Sequence, residues 1–445
     1  MVTGPGETRA ADVVEICSRL VSIDTSNYGR AGSNGERAAA DYVLGLLRDA
    51  GYDPLLLESA PTRANVVLRV PGSTPGLPAL LVHGHLDVVP AEPADWTVDP
   101  FAGLVADGYV WGRGATDMKD MVAMTLATLL DWAAMGARPR RDIVVAFVAD
   151  EEEDGEFGAE WLVAEHPGLF DGVRAAIGEA GGVPEEAYAA DGSALRFYPV
   201  AVAERGSLHL SVSARGTAGH GSRRNDDNAV ERLVSGLDRL SRHRWPIALT
   251  PPARAFLEQT GAALGVAMDL DSESGIESAL DRIGGLRAYV EPALRCSANL
   301  TVLSAGYKVN VVPGLARAEI DVRSLPGTDA RMLAVIDELL GDSIERDFLS
   351  NRPALSAPMD SEWYDAIQRS LHKADPGAIV VPYCMGGGTD AKPFATLGIA
   401  GYGFSPLGVD PDGRVPSGMH GVDERVPVAA LEAGRRVLSD FLTTV

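Results

Sequence analysis

The sequence is poor in cysteine and lacks any long apolar run. Its three cysteines, Cys17, Cys296 and Cys384, are far apart and form no CxxC pair, so neither a thiolate metal site nor a disulfide framework is expected. No apolar run reaches the roughly 18 residues that span a bilayer, and residues 1–12 lack the apolar core of a signal peptide. We therefore expect a cytoplasmic protein that does not cross a membrane.

Positive charge is also scarce. The 445 residues include 39 lysines and arginines against 62 aspartates and glutamates, which gives a net charge of -23. A surface this acidic repels the phosphates of nucleic acids and of anionic lipids. We therefore expect neither nucleic acid nor a membrane as a partner. Some of the acidic side chains become candidates for metal binding, because bound cations would offset their charge.

The first 200 residues have the pattern of an α/β sheet. Short apolar runs alternate there with helical patterns, which indicates strands joined by helical crossovers. The runs cover residues 65–70, 79–82, 142–148 and 175–177. Residues 118–135 have helical spacing, with one predicted buried face formed by Met121, Met124, Thr125, Leu129 and Trp132.

The pattern changes near residue 204. Residues 207–213 and 317–322 alternate polar and apolar side chains, as antiparallel strands do when one face is buried. A chain of this length also favours about two or three domains. We therefore predict a discontinuous α/β domain, formed by residues 1–203 and 351–445, with an α+β domain inserted at 204–350. No structure is predicted for the segment 244–292.

Two of the eight histidines follow the apolar run at 79–82. His83 and His85 come directly after it, and Asp87 lies two residues further on. At the end of such a strand an imidazole suits zinc, and a nearby carboxylate can orient the ring. A hydrogen-bonded structural histidine is the commoner occupant of this position, so the segment alone does not decide between the two.

Carboxylates follow two further strands and begin one helix. Asp117 stands where a helix N-cap and a carboxylate that bridges two metals are both consistent with the pattern. Residues 150–154 are five consecutive acids after a strand, and Glu179 follows another strand. A run of acids usually lies on the surface, but this one closes an apolar strand, where a cation would relieve the repulsion. His420 adds a further candidate ligand in a loop before the last helix.

These segments together resemble the M20 metallopeptidases, the family of glutamate carboxypeptidase, aminoacylase-1, succinyl-diaminopimelate desuccinylase and related dipeptidases. The resemblance covers nearly the whole chain. Its motifs, in the order of the family, are GHLDVVP at 84–90, GRG at 112–114 with DMK at 117–119, DEE at 150–152, GE at 178–179, and His420. The implied fold is α/β, with a mostly parallel-sheet zinc-peptidase catalytic domain and an inserted α+β lid and dimerisation domain.

The resemblance also implies roles at the centre of the site. His85 and Glu179 would bind one metal, Glu152 and His420 the other, and Asp117 both. Asp87 would orient His85, and Glu151 would be the general base. The Asp117–Met118 peptide bond is expected to be cis. A third glutamate, Glu153, follows these two, so the base and the ligand could be shifted by one residue.

The inserted domain is similar to the family's lid. GTAGHGS at 216–222 matches a lid motif in which a histidine, here His220, reaches the partner subunit's site and stabilises an oxyanion. Asn310 and Arg323 lie in the later lid motif, where these residue types contact substrate, and Arg323 suits a substrate carboxylate. The loop at 387–390 resembles a substrate-proximal loop and adds three candidates: Gly387, Gly388 and Thr389.

The sequence thus predicts a hydrolase with two divalent metal ions, zinc first and cobalt or manganese as alternatives. It would cleave an amide of a small peptide or N-acyl amino acid beside a free carboxylate, and it would form a homodimer through the lid. A zinc aminopeptidase is one alternative, although such enzymes typically lack this lid. A catalytically silent metal-binding interaction protein is the other, although pure binding does not require Glu151.

Overall fold

The computed structural model describes residues 11–29, 32–153 and 155–445. It therefore leaves out Asp154 of the acidic run and most of residues 1–12, on which the expected absence of a signal peptide rests. The chain forms two compact units. The first comprises Met1–Ala201, Ala357–Val381 and Thr389–Val445, and the second comprises Val202–Ser356 and Pro382–Gly388.

The first unit contains most of a large mixed sheet and the helices that cover it. Its strands are β1 Leu55–Ala60, β2 Arg63–Val70, β3 Ala79–His85, β4 Leu104–Ala106, β5 Tyr109–Trp111, β6 Ile143–Val148, β7 Val173–Gly178, β8 Glu185–Tyr188, β9 Ala194–Glu204, β17 Ala378–Met385, β18 Ala400–Gly403 and β19 Arg425–Pro427. The last residues of β9 and β17 belong to the second unit. Its helices are α1 Val13–Val21, α2 Arg37–Asp49, α3 Lys119–Met135, α4 Ala159–Glu165, α10 Glu362–Ala374, α11 Ala391–Ala395 and α12 Val428–Thr444.

The order of the strands positions the site. The sheet runs β1-β2-β6-β3-β7-β18-β9, and β6, β3, β7 and β18 are parallel neighbours. Strands β3 and β6 are buried along their whole length, as expected for parallel strands covered on both faces. Because parallel strands end at the same edge, the residues that follow β3, β6 and β7 lie together.

Helix α3 corrects one detail of the sequence prediction. The helix is present, but the predicted single buried face is wrong, because every residue from Lys119 to Leu129 is buried. The helix packs against β3 and also against α1, α2 and α12. An apolar helix enclosed on all sides has no solvent face to mark in its sequence.

The second unit contains a four-stranded antiparallel sheet covered by helices, together with three short strands outside that sheet. Its strands are β10 Gly206–Arg215, β11 Gly219–His220, β12 Ser297–Ala305, β13 Val311–Val312, β14 Leu315–Ser324, β15 Ile344–Arg352 and β16 Leu355–Ser356. Its helices are α5 Ala229–Arg242, α6 Pro251–Leu264, α7 Glu273–Arg282, α8 Arg287–Val290 and α9 Asp329–Leu340.

Its sheet order is β12-β14-β10-β15, and alternate residues of β10 and β14 pack on α5 and α9. Helices α6, α7 and α8 occupy most of the segment 244–292, for which no structure was predicted. The predicted fold class, a mostly parallel α/β sheet with a separate α+β part, is confirmed. Among the described residues, no helix is long and apolar enough to span a membrane.

An ion pair in the first unit should make the stability of the fold depend on pH. Arg196 on β9 donates two hydrogen bonds, of 2.6 and 2.7 Å, to Asp375 at the end of α10. These bonds, with one from Tyr198, lower the pKa of the Asp375 carboxyl. A lowered pKa stabilises the folded state above the unfolded pKa of about 3.9, and this contribution disappears as the pH falls.

We therefore expect Asp375→Asn to lower the free energy of unfolding by about 1 kcal/mol at pH 7, since solvent screens the partly exposed Arg196. The difference from the wild type should shrink below about pH 4, as the native carboxyl becomes protonated. Urea denaturation at several pH values measures it. A difference that stays constant with pH would contradict the assignment.

Candidate metal centre

The first group of predicted ligands assembles at the ends of β3 and β7. His85 Nε2 lies 3.0 Å from Asp117 Oδ1 and 3.9 Å from Glu179 Oε2. One donor atom from each of these three residues falls within 4.8 Å of the others. The His85 side chain is almost fully buried. Gly178 is required before Glu179, because a Cβ at Gly178 would come within 2.3 Å of the His83 ring.

The second group assembles around the other oxygen of Asp117. His420 Nε2 lies 3.1 Å from Asp117 Oδ2 and 3.0 Å from Glu152 Oε2. One donor atom from each of these three residues again lies within 4.8 Å of the others. The His420 side chain is 52% exposed, so this group is much more open to solvent than the first. The structure thus brings together all five predicted ligands, and Asp117 offers one oxygen to each group.

The donor set fits two divalent cations. Imidazole nitrogens and carboxylate oxygens are ligands that zinc, cobalt and manganese accept. Burial raises the pKa of Glu179 to about 7, whereas hydrogen bonds from His420 and His85 lower the pKa of Asp117 despite its burial. Hydrogen bonds to Asp117 and Glu152 raise the pKa of His420 to about 10. Carboxylates crowded in this way favour nearby positive charge, which divalent cations would provide.

Glu151 lies beside the two groups but belongs to neither. Its Oε2 is 3.9 Å from His85 Nε2, and its side chain is 15% exposed. Burial and the neighbouring Glu179 raise the pKa of Glu151 well above the usual range. Glu153, the alternative candidate, has an exposed side chain and does not belong to either ligand group.

The carboxylate of Asp87 lies closer to the acidic loop than to the ring of His85. His85 Nδ1 bonds to the backbone carbonyl of Asp87 at 2.9 Å, whereas the carboxylate lies 3.7 Å from that nitrogen. The two carboxylate oxygens accept the backbone N–H groups of Glu151 and Glu152, at 3.1 and 3.2 Å. Asp87 therefore contacts both His85 and the acidic loop, each through a different group.

A buried network continues from Asp87. Asn27 Nδ2 donates to both Asp87 and Asp150, each at 2.9 Å. Asp150 also accepts from Arg63 at 2.6 Å, and Arg63 pairs with Glu36. The sequence identified Asp150 only as part of the acidic run, and it gave no signal for Asn27, Arg63 or Glu36, which are far away in the chain.

Glu424 is a further buried residue that the sequence did not identify. It is fully buried and accepts hydrogen bonds from the loop that carries Asp117. In the sequence, only its position four residues after His420 pointed to it. The peptide bond between Asp117 and Met118 is cis, as the resemblance implied.

The predicted lid residues lie mainly in the second unit. His220 on β11 is exposed, and its Nδ1 is 2.8 Å from Ser222 Oγ. The adjacent Gly221 donates to the carbonyl of Asn310 at 2.9 Å, so these two predicted positions are neighbours. Arg323 on β14 pairs with Asp321 at 2.7 Å.

The predicted loop at 387–389 crosses the boundary of the units. Gly387 and Gly388 belong to the second unit and Thr389 to the first. Thr389 Oγ1 accepts the N–H of Ala391 at the start of α11, at 3.1 Å.

His83 and Cys384 are both buried and lie outside the ligand groups. His83 contacts the ring of Phe394, and burial lowers its pKa to about 3, which keeps it neutral. Cys384 lies in a small apolar cluster of the second unit with Ala203 and Leu325.

Comparison with known proteins agrees with this geometry. Residues 81–444 match Peptidase family M20/M25/M40, and the chain therefore belongs to this family of metal-dependent peptidases and amidohydrolases. The chain is 26% identical over 441 residues to the N-fatty-acyl-amino acid synthase/hydrolase PM20D1 of Xenopus tropicalis, covering 97% of this chain and 85% of that protein. It is 28% identical over 417 residues to aminoacylase-1 of Sus scrofa, covering 92% and 90%.

A solved structure supports the fold. The M20 family metallo-carboxypeptidase Sso-CP2 from Sulfolobus solfataricus superimposes with a TM-score of 0.69 at 16% identity, covering 97% of this chain and 99% of that one. The family match and the two curated relatives confirm the predicted family and enzyme class.

Proposed function

We propose that the protein hydrolyses the amide bond of an N-acyl amino acid or a small peptide, beside a free carboxylate, with two divalent metal ions. One observation carries this proposal: two ligand groups share Asp117, and the carboxylate of Glu151 lies beside them without joining either. The names of the two curated relatives, both enzymes of N-acyl amino acids, favour N-acyl amino acids over peptides.

Each residue has a proposed role at the metals. His85 and Glu179 would hold one ion, Glu152 and His420 would hold the other, and Asp117 would be shared by both. When bound, such ions act as Lewis acids and lower the pKa of water. We favour zinc because imidazole and carboxylate are common zinc ligands, with cobalt and manganese as alternatives.

The protein's own groups would move the proton and orient the substrate. Glu151 takes a proton from the attacking water and returns it to the leaving amine, which is typically worth about 10²–10⁴-fold in rate. Asp87 fixes the backbone of the acidic loop and therefore the position of Glu151. Arg323 would bind the substrate carboxylate with its planar guanidinium. His220 would donate to the oxyanion of the tetrahedral intermediate.

The remaining predicted contacts are proposed by resemblance. Asn310 would contact the substrate from the lid, and the loop with Gly387, Gly388 and Thr389 would lie close to it. The cytoplasmic location expected from the cysteine content stays a prediction.

We also propose a homodimer through the second unit. Within the part of the chain that the structure describes, strand β12 is an edge strand that pairs with β14 alone. It exposes apolar side chains, including Leu300, Val302 and Leu303, of which Leu303 is 64% exposed. An unprotected apolar edge strand is a site for pairing with a second chain.

The reaction can be tested by measuring the release of free amine from N-acyl amino acids and from their matched C-terminal amides. We expect cleavage of N-acetyl and long-chain N-acyl amino acids, loss of cleavage with a chelator, and recovery when zinc is added back. The matched C-terminal amides should react far more slowly, because they cannot pair with a guanidinium as a carboxylate does. A dipeptide panel measured in parallel separates peptidase from deacylase activity.

The outcomes separate the alternatives. Hydrolysis of free-carboxylate substrates that survives metal removal would overturn the metal proposal. Equal rates on acids and amides would overturn the carboxylate requirement. Two bound metals without cleavage of any substrate would favour the silent metal-binding protein.

A further inference from the structure

Glu424 connects the two loops that carry the shared ligand and the exposed histidine. Its side chain is fully buried, and both of its oxygens accept hydrogen bonds from the loop that precedes Asp117. The donors are Arg113 Nη1 at 2.6 Å, Gly114 N at 3.0 Å, Thr116 N at 2.8 Å, Thr116 Oγ1 at 2.9 Å and Asp117 N at 3.2 Å. Five donors on one buried carboxylate is a dense arrangement for a residue outside both ligand groups.

Resting on the proposed function, we propose that Glu424 is a positioning residue that fixes the spacing between Asp117 and His420 and so sets the metal affinity of their group. It contacts the backbone N–H of Asp117 itself, and it lies four residues after His420. The backbone at Asp117 therefore cannot shift relative to Glu424 without breaking bonds to this carboxylate.

The loop from Gly418 to Glu424 is folded tightly, which transmits this constraint to His420. Gly421 donates to the carbonyl of Gly418 at 2.7 Å, and Ser417 and Arg425 form a bridge that closes the loop. A Cβ on Gly418 would come within 2.6 Å of the Glu424 backbone. His420 thus has little freedom to move separately from Glu424.

Arg113 adds a second connection between the same two loops. Besides its ion pair with Glu424, it donates from Nη2 to the carbonyl of Gly421 at 2.9 Å. Arg113 is 3% exposed, and its guanidinium lies 5.3 Å from the centre of the Trp96 ring. The charge of Glu424 is therefore compensated within a buried, fixed environment.

Only a carboxylate matches these donors. A glutamine offers one acceptor oxygen, so its NH₂ group would face either Arg113 and Gly114 N or the donors of Thr116 and Asp117. Glu424→Gln therefore keeps the size of the side chain but sets donor against donor. It disturbs the connection between the loops without touching any ligand atom.

The expected effect is different for the two groups. The group of Asp117, Glu152 and His420 draws ligands from both connected loops, whereas the group of His85, Asp117 and Glu179 uses only one of them. Changing a hydrogen-bond partner behind a ligand typically costs about 10–100-fold in metal affinity. We expect this loss in the His420 group and little change in the other.

Competition of the full-length chain with a chromophoric chelator for Zn²⁺ measures both affinities. The His420→Ala variant defines the affinity that remains when only the other group binds. Glu424→Gln should keep one site at that remaining affinity and weaken the second by about 10–100-fold. Asp410→Asn is the control, because Asp410 is also a buried carboxylate with an arginine partner in the same part of the chain. It should bind zinc as the wild type does.

Three results would overturn the inference. Unchanged zinc isotherms for Glu424→Gln would do so, and so would an equal loss at both sites, because that indicates general destabilisation. If Glu424→Gln does not fold, Thr116→Val removes one of the five bonds and should weaken zinc binding by the His420 group by less than about tenfold. The third contradicting result would be a zinc isotherm for Thr116→Val identical to that of the wild type. A wild-type chain that binds no zinc would instead refute the proposed function on which the inference rests.

Discussion

Replacing Glu151 by glutamine is expected to lower kcat by about 10²–10⁴-fold while two metal ions remain bound per chain. Glutamine has nearly the same shape but cannot accept a proton. Glu151 belongs to neither ligand group, although its Oε2 lies 3.9 Å from His85 Nε2. Steady-state kinetics on the best N-acyl amino acid, with metal content measured on the same sample, checks the prediction.

Glu153→Gln is the matched control, because the sequence allowed the base to be shifted along the acidic run. Its side chain is exposed, so we expect activity and metal content close to those of the wild type. A large loss of activity in Glu153→Gln, or loss of metal in Glu151→Gln, would contradict the assigned role of Glu151.

Replacing Arg63 by methionine is expected to lower the free energy of unfolding by about 3–5 kcal/mol. Arg63 is a buried cation between two buried carboxylates, with bonds of 2.6 Å to Asp150 and 3.0 Å to Glu36. Methionine fills similar space but leaves both carboxylates without their counterion. Chemical denaturation at pH 7 measures the loss.

Arg37→Met provides the control for this experiment. Arg37 also contacts two carboxylates, those of Asp41 and Glu58, but all three side chains are exposed by 40% or more. Water solvates the carboxylates that remain, so we expect a much smaller change in stability. An equal decrease in the free energy of unfolding in the two variants would mean that burial does not determine the effect at Arg63.

The sequence predicted the ligands because the rule that places them is local. His85 is the last residue of one short apolar strand, and Glu179 directly follows another. Parallel strands end at the same edge of the sheet. The apolar runs therefore indicated that candidate carboxylates and imidazoles would lie at one edge, and the family resemblance selected the ligands among them. The family motifs then added His420, which no strand signal could have connected to the others.

The supporting residues were not predictable in the same way. Asn27, Arg63 and Glu424 act through hydrogen bonds to residues 60 to 311 positions away, and no periodicity records such contacts. The carboxylate of Asp87 was assigned to His85, but backbone N–H groups of the acidic loop compete for it and lie closer. Which donor a buried carboxylate accepts depends on the tertiary structure.

Because the two ligand groups share the side chain of Asp117, they also depend on each other. Asp117 turns one oxygen toward His85 and the other toward His420, so any occupant of one side fixes and polarises the group presented to the other. Thermodynamic linkage then requires the influence to be mutual and equal in free energy. The two sites would fill as a coupled pair, so the affinity of either site would depend on whether the other is occupied.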